Sequence, residues 1–449
     1  MTDRTSGGGS FFDETRRRSL GAEPLQGPWM RAFRTNVWRR LPRGVRRAAL
    51  QLVLGFNRKP VATGAAAEAP VCVAGLLSTP TGIGEGGRLC GRALAELGYD
   101  VLNVDLSDLL QGRPAKGGRP PLLERGPGTV ILHFNPDNLP AILTLLGRRR
   151  LRGKRIIGYW AWELARIPEA WRPAFAEVDE VWAPSRFVAD AVRPFTEKPV
   201  RVVPHPAAQG RIGRPRREAF GTAGIFAALC MFSFASSFPR KNPVAAVQAF
   251  RRAFGDAADR LLIVKVSDGD ESPEEMEELR AAIGEASNIR IEERRLGDEE
   301  RLDLIASVDV LLSLHRSEGF GLVLAEAMLA GVPVIATAWS GNVDFMDEAS
   351  AMLVPCRMIP ASDRRGIYDP GEFWADPDVE AAAEKLAALA GNPAAAAALR
   401  SAARETAERK LGVEAFAVAV AEALRPAGEV VAAPVLLGRR AARRRLAEA

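Results

Sequence analysis

The chain has 449 residues, 47% of them hydrophobic and 26% charged, a balance ordinary for a globular protein of two or three domains. No apolar stretch is long enough to cross a bilayer as a helix, and the start, MTDRTSGGGSFFDETRRR, lacks the apolar core of a secretory signal, so a cytoplasmic protein is expected. The net charge of +6 sits at the ends: residues 1–69 carry thirteen Lys/Arg against five Asp/Glu, residues 426–449 carry five against two, and residues 70–425 are left with −5. An acidic body argues against a nucleic-acid partner, which requires cations along its working groove.

Residues 1–69 form a basic extension, and residues 1–20 are expected to be disordered. Within it, VWRRLPRGVRRAALQLVLGFNRK (37–59) reads either as a solvated or packed extension or as a basic amphipathic helix suited to peripheral contact with an anionic inner membrane face. The four cysteines, Cys72, Cys90, Cys230 and Cys356, are scattered, form no metal-type pair, and read as buried thiols of a reducing compartment.

From residue 70 short apolar runs alternate with longer amphipathic ones, the pattern of βα units around parallel sheets. The first run, 70–77, leads into STPTGIGEGGRL (78–89), where Gly82-x-Gly84-x-x-Gly87 has the dinucleotide-binding spacing and Asp105 closes the next strand. Alone, these residues predict an NAD(P)-dependent oxidoreductase. Against that reading, Ser78 to Thr81 intervene before the first glycine and Pro80 removes a donor, whereas in a dinucleotide site the first glycine follows the strand almost at once. A substrate-facing loop carrying Gly82, Gly84 and Glu85 is expected instead.

Further strands at 99–106, 128–134, 155–160, 180–183 and 200–204 complete a first domain, 70–206. In it IIGYWAWELARIPEAW (156–171) gathers Tyr159, Trp160, Trp162 and Glu163 behind a strand, in a chain with only eight Trp and three Tyr. Trp162 and Glu163 are expected at the cleft, while Trp160 and Trp171 read equally well as core. Residues 207–223, rich in Pro, Gly and charge, read as a linker. A second series, from GIFAALCMFSF through RLLIVKV, NIRIEER, DVLLSLH and VPVIAT to AMLVP, gives a second domain over 224–410, followed by a last helix and basic tail (411–449). The predicted class is α/β, with two Rossmann-like domains facing a cleft.

The most informative stretch is DVLLSLHRSEGFGLVLAEAMLAGVPVIAT (309–337). A strand runs into a loop carrying Glu318-Gly319-Phe320-Gly321, and a helix follows with Glu326 in its second turn. Such a loop directs free N–H groups and a positive helix end at a ligand, while the carboxylates accept from hydroxyls, so the ligand carries both phosphate and hydroxyl groups.

Glu318 and Glu326, seven residues apart, resemble the paired-glutamate motif of the retaining glycosyltransferases of family 4, also called glycosyltransferase group 1. The resemblance implies the two-domain B-type fold, a UDP- or GDP-sugar donor, no further cofactor, and no metal. It puts Glu318 beside the transferred sugar, Glu326 on the ribose, and the backbone of Gly319, Phe320, Gly321 and Leu322 on the donor. In MFSFASSFPRKNPVAAVQAF (231–250), Arg240 and Lys241 precede a helix with Pro243 in its first turn. Cations are ill placed at a helix start, so a bound anion is expected there. Lys241 matches the family's diphosphate-binding lysine; the arginine expected six residues earlier is Ala235 here, and Arg240 is the available substitute.

All three histidines, His133, His205 and His315, lie at strand ends, and His133 resembles a histidine that reaches the transferred sugar in some members. Glu318, Lys241 and His133 are therefore the expected catalytic residues. Ser185 is expected to cap a helix, and WSGNVDFM (339–346) to border the donor. The resemblance further implies retention of configuration, a hexosyl donor, and a glycan or lipid-linked acceptor held by the first domain in polysaccharide or lipopolysaccharide assembly. A nucleotide-sugar epimerase of the same fold and a catalytically inactive binding module are the rival readings.

Overall fold

Where strand order reverses in a parallel sheet, the loops at the carboxyl edge part and leave a crevice. This chain makes two such reversals. The computed structural model describes Gly64 and residues 69–110, 123–369, 371–421 and 423–424, so the basic ends and their membrane-surface helix lie outside the described residues. Among the described residues no helix is long and apolar enough to cross a membrane.

In the first half β1 (Val71–Gly75), β2 (Val101–Asp105), β3 (Thr129–His133), β4 (Arg155–Tyr159), β5 (Glu180–Ala183) and β6 (Val200–Val202) form a parallel sheet in the order β2-β1-β3-β4-β5-β6. β1 and β3 are buried along their whole length, as a sheet covered on both faces requires. In the second half β7 (Phe226–Ser233), β8 (Arg260–Ser267), β9 (Ile289–Glu292), β10 (Val310–Ser313), β11 (Val334–Thr337) and β12 (Met352–Val354) form another, in the order β12-β11-β10-β7-β8-β9. The reversals fall between β1 and β3 and between β7 and β10.

Three segments tie the halves together. Residues 207–223 pack on the second half: Phe220 is buried, the Arg214 amide donates to Asp303 at 2.8 Å, and the Thr222 hydroxyl donates to the Ser307 carbonyl at 2.7 Å. The helix Val413–Ala421 returns to the first half, where Phe416 and Val420 are buried with Val71, Val73, Cys90 and Trp182. The third tie has no counterpart in the sequence reading. An antiparallel hairpin, β13 (Cys356–Pro360) with β14 (Phe373–Pro377), leaves the second half after β12 and buries Trp374 in the core of the first.

Cys72, Cys90 and Cys230 are buried free thiols, and burial pushes Cys72 and Cys230 up to about 12. Cys356 is half-buried and free. The returning helix gives a direct check on packing. Phe416 is 1% exposed and Val418, on the same helix, 73% exposed. Phe416→Ala is expected to lower unfolding free energy in urea by about 3–5 kcal/mol, and Val418→Ala by less than about 0.5 kcal/mol.

Candidate functional site

Both cations of the RKNP stretch lie just beyond β7. Ser237 caps a short helix, Phe238–Lys241, by accepting from the Arg240 amide at 3.3 Å, and Pro243 then starts a separate helix, Pro243–Phe254. Arg240 and Lys241 therefore occupy the last turn of the first helix rather than the start of the second. The expectation of a helix dipole opposing their charge does not hold, because Asn242, in the left-handed conformation at φ 51°, separates the two helices.

Their counter-ion is Glu318, beyond the adjacent strand β10. Lys241 Nζ donates to Glu318 Oε1 at 2.5 Å, and Arg240 Nη1 stands 3.4 Å from Oε2. Burial works to raise the Glu318 carboxyl, but Lys241, Arg240 and His315 outweigh it and hold the group at about 2. The backbone is fixed from the WSGNVDFM segment: the Glu318 amide donates to Ser340 Oγ at 2.8 Å, and the Gly341 amide donates to the Glu318 carbonyl at 2.9 Å. Ser340 holds this position at φ 78°, a conformation rare for a residue with a side chain.

The loop then narrows against the first half. A Cβ on Gly319 would stand 2.9 Å from the Trp162 carbonyl oxygen, so only glycine fits there. The Ser185 hydroxyl donates to the Gly319 carbonyl at 2.7 Å while also capping its own helix through the Val188 amide. Gly321, at φ 99°, is the N-cap of the helix Leu322–Leu329 and provides no side-chain cap. The first amides of that helix have no intrahelical acceptor, and its positive end favours an anion. Phe320 is buried, its ring against His205 and Phe345.

Facing this helix start is another. The glycine-rich stretch is the opening of the helix Gly82–Glu96, capped by Thr81 accepting from the Gly84 amide at 3.2 Å, and Leu322 Cδ1 lies 3.9 Å from where a Gly82 Cβ would stand. The expected loop is thus corrected: Gly82, Gly84 and Glu85 are helical, and the loop proper is 76–81. Glu85 pairs with Arg88 at 2.6 Å and Arg92 at 3.1 Å. Asp105 is not free for a ribose, since it accepts from Ser78 Oγ and from the Ser107 amide and hydroxyl.

Glu326 takes both arms of Arg301, at 2.5 and 2.8 Å. Burial works against the Arg301 charge, but Glu326, Asp298 and Glu85 hold it above the usual arginine value. Sequence reasoning missed Arg301, because in GDEERLDL nothing announces a partner 25 residues away.

From the first half, Glu163 reaches the cleft, 3.7 Å from Arg240 Nη2. Trp162 does not offer an open face: it is 6% exposed, its Nε1 donates to the Arg166 carbonyl, and it packs edge-on against Trp171 and Tyr368. Trp160 and Trp171 are core. The expectation that His133 meets a sugar directly is also corrected. At 1% exposure it stacks inside the wall on Tyr159, which stacks in turn on His205. Burial, and then His205, push His133 well below its ordinary value; burial takes His205 to about 3 and lowers His315.

A cavity of about 330 Å³ lies behind the short helix, lined by Phe238, Asn242, Glu275, Glu278, Arg316 and Asp376 among others. Lys241, Glu318 and Glu326 do not line it, and its carboxylates are paired with Arg365, Arg364 and Arg357. The crevice above Glu318 is therefore the candidate site. Among the described residues no group of three or more His, Cys, Asp or Glu is placed to hold a metal ion.

Residues 185–420 match a family model described as "Family 4 Glycosyltransferase in conflict systems". D-inositol 3-phosphate glycosyltransferase of Salinispora tropica is 33% identical over 152 residues, 30% of this chain and 31% of that protein. Lipopolysaccharide glucosyltransferase WaaG of Escherichia coli is 30% identical over 115 residues, 26% of this chain and 29% of that protein. The matched stretches thus span less than a third of these relatives. The crystal structure of Anabaena HepE in complex with UDP-glucose superposes with a TM-score of 0.54 at 16% identity, covering 79% of this chain and 98% of that one.

The Glu318 charge cluster has a pH signature. Because its carboxyl is depressed from 4.5 to about 2 in the fold, its contribution is present above the unfolded value and is lost as pH falls through the folded one. Glu318→Gln is therefore expected to be less stable than wild type at pH 7. The gap between their urea midpoints should close as the pH is lowered from 5 toward 2, and a gap independent of pH would contradict the ionised cluster.

Proposed function

Because the chain belongs to family 4 of the glycosyltransferases, in the branch described as acting in conflict systems, we propose that it transfers a hexosyl group from a UDP- or GDP-sugar to a hydroxyl acceptor, with retention and without a metal ion. The observation that carries this reading is the ionised Glu318, held by Lys241 and Arg240 beside the uncapped start of the helix Leu322–Leu329. That pairing of a carboxylate with an anion-binding helix end suits a ligand that is sugar on one side and diphosphate on the other.

In this reaction negative charge builds on the leaving diphosphate. Lys241 and the amides at the start of Leu322–Leu329 stabilise it, as preorganised donors in a site that excludes water do best. Lys241 trades its bond to Glu318 for the phosphate, which frees Glu318 to support the positive charge developing on the sugar. Glu326, oriented by Arg301, retains lone pairs for ribose hydroxyls. Glu163 faces the acceptor side. The departing phosphate takes the acceptor proton, so no protein nucleophile is required.

We assign the acceptor to glycan or lipid-linked hydroxyls of envelope polysaccharide or lipopolysaccharide assembly, and place the reaction at the cytoplasmic face of the inner membrane. The basic ends and the name of the lipopolysaccharide glucosyltransferase relative support that assignment. Against the oxidoreductase reading stand the engaged Asp105 and the six residues between β1 and Gly82.

Thermal unfolding tests the donor. A nucleotide sugar at a hundred times its Kd raises stability by about 2.7 kcal/mol. A shift with UDP- or GDP-sugars and none with NAD(P)H is expected; the reverse overturns the proposal. Lys241→Ala and Glu318→Gln should each cost about 10²–10³ in turnover, the scale of removing one preorganised group.

A further inference from the structure

Glu318 and Glu326 each face a cation, but the two are held in different ways. Lys241 meets Glu318 with a single amine, at Oε1. Arg301 meets Glu326 with both ends of its fork: Nη1 donates to Oε2 at 2.5 Å and Nη2 donates to Oε1 at 2.8 Å. A lone ammonium lets a carboxylate turn about it, whereas a planar bidentate pair fixes the carboxylate plane as well as its position. Glu326 is therefore not free to swing toward whatever donor a ligand brings.

The arginine is itself fixed from behind. It belongs to the helix Asp298–Ala306, and the two residues after it are built into the segment 207–223. A Cβ on Gly213 would stand 1.9 Å from the Leu302 carbonyl oxygen, and Asp303 Oδ1 accepts from the Arg214 amide at 2.8 Å. Beyond the helix, the Ser307 hydroxyl donates to the Asp303 carbonyl at 2.6 Å while accepting from the Arg216 amide at 2.7 Å. The pair is largely withdrawn from water, the Arg301 side chain being 26% exposed and that of Glu326 14%. Each Glu326 oxygen spends one lone pair on the fork and keeps another for a ligand hydroxyl.

We infer that Arg301 is a positioning residue that sets donor selectivity: by holding both Glu326 oxygens it makes the carboxylate a fixed acceptor for ribose hydroxyls, so that the site rejects nucleotide sugars whose ribose lacks one. This rests on the nucleotide-sugar reading above, in which Glu326 meets the ribose. An acceptor that does not turn finds no replacement for a missing hydroxyl, and a desolvated polar group left without its partner is what rejects the analogue. A glutamate free to rotate would bond instead to water or to the remaining hydroxyl, and the discrimination would be lost. Arg301 acts without touching the reacting atoms.

The test measures nucleotide binding by calorimetry. UDP and GDP show which nucleotide the wild type holds, and the 2′-deoxy and 3′-deoxy forms of that nucleotide then measure selectivity. The weaker of the two deoxy forms should bind wild type about tenfold less tightly than the parent, the scale of one hydrogen bond to a charged group. In Arg301→Lys, which keeps the charge and loses the fork, the parent should bind more weakly and the ratio of the two Kd values should fall toward one. A merely structural arginine weakens parent and deoxy forms alike, so an unchanged ratio overturns the positioning role and leaves the proposed function standing. Deoxy forms that bind wild type as tightly as the parent overturn the selectivity in the same way. Glu326→Gln breaks the pair from the other side and should lose the same ratio; a ratio kept there overturns the inference whether or not Arg301→Lys folds. Binding of neither UDP nor GDP to wild type overturns the donor assignment itself, and the role of Arg301 falls with it.

Discussion

One buried carboxylate facing two cations is the constraint on which the site depends. Removing charged groups from water is costly unless they are paired with good geometry. Arg240, Lys241 and Glu318 meet that condition only because β7 and β10 are neighbours at the strand-order reversal, although the residues are 77 positions apart in the chain. Three charges leave one positive charge over, and Glu163 from the other half supplies its balance.

Several small residues make that arrangement rigid. Gly319 lies against the Trp162 backbone, Ser185 holds the Gly319 carbonyl, and Ser340 accepts a left-handed backbone in order to grip the Glu318 amide. Each joins a cleft residue to a wall rather than to a mobile loop. The returning helix and the hairpin continue the same task at larger scale, placing Phe416 and Trp374 in the cores of the first half. A site shared by two sheets needs its two sides held in register, and here three segments join them.

What the sequence made legible follows from where the information lies. The twelve parallel strands were readable because a buried strand needs an apolar run, and such a run is local. Glu318, Glu326 and Lys241 were readable because loop, helix start and spacing fall within one segment. Arg301 was not, since its bond to Glu326 depends on two helices meeting in space. The hairpin escaped because Pro360, Pro370 and Pro377 break its 22 residues into pieces with neither helical nor strand period. Trp162 and His133 were misplaced for a further reason: position after a strand end sets where a residue begins, while the packing of its neighbours decides whether it faces the cleft or the core. The dipole argument at Arg240 failed because one left-handed Asn242 divides what reads as a single helix start into two helices.

The glycine-rich stretch shows how a correct spacing serves a different end. A dinucleotide site needs the first glycine hard against the strand, with a free carboxylate on the next strand. Here six residues intervene after β1, and Asp105 spends its oxygens on Ser78 and Ser107, fixing that same loop. The glycines instead allow a helix to begin close to the other half, with Gly82 against Leu322. Two helix starts, one from each sheet, then approach the same crevice. Each alone favours an anion modestly, since the dipole's effect fades within the first turn. Here the two starts meet, with Leu322 Cδ1 3.9 Å from where a Gly82 Cβ would stand.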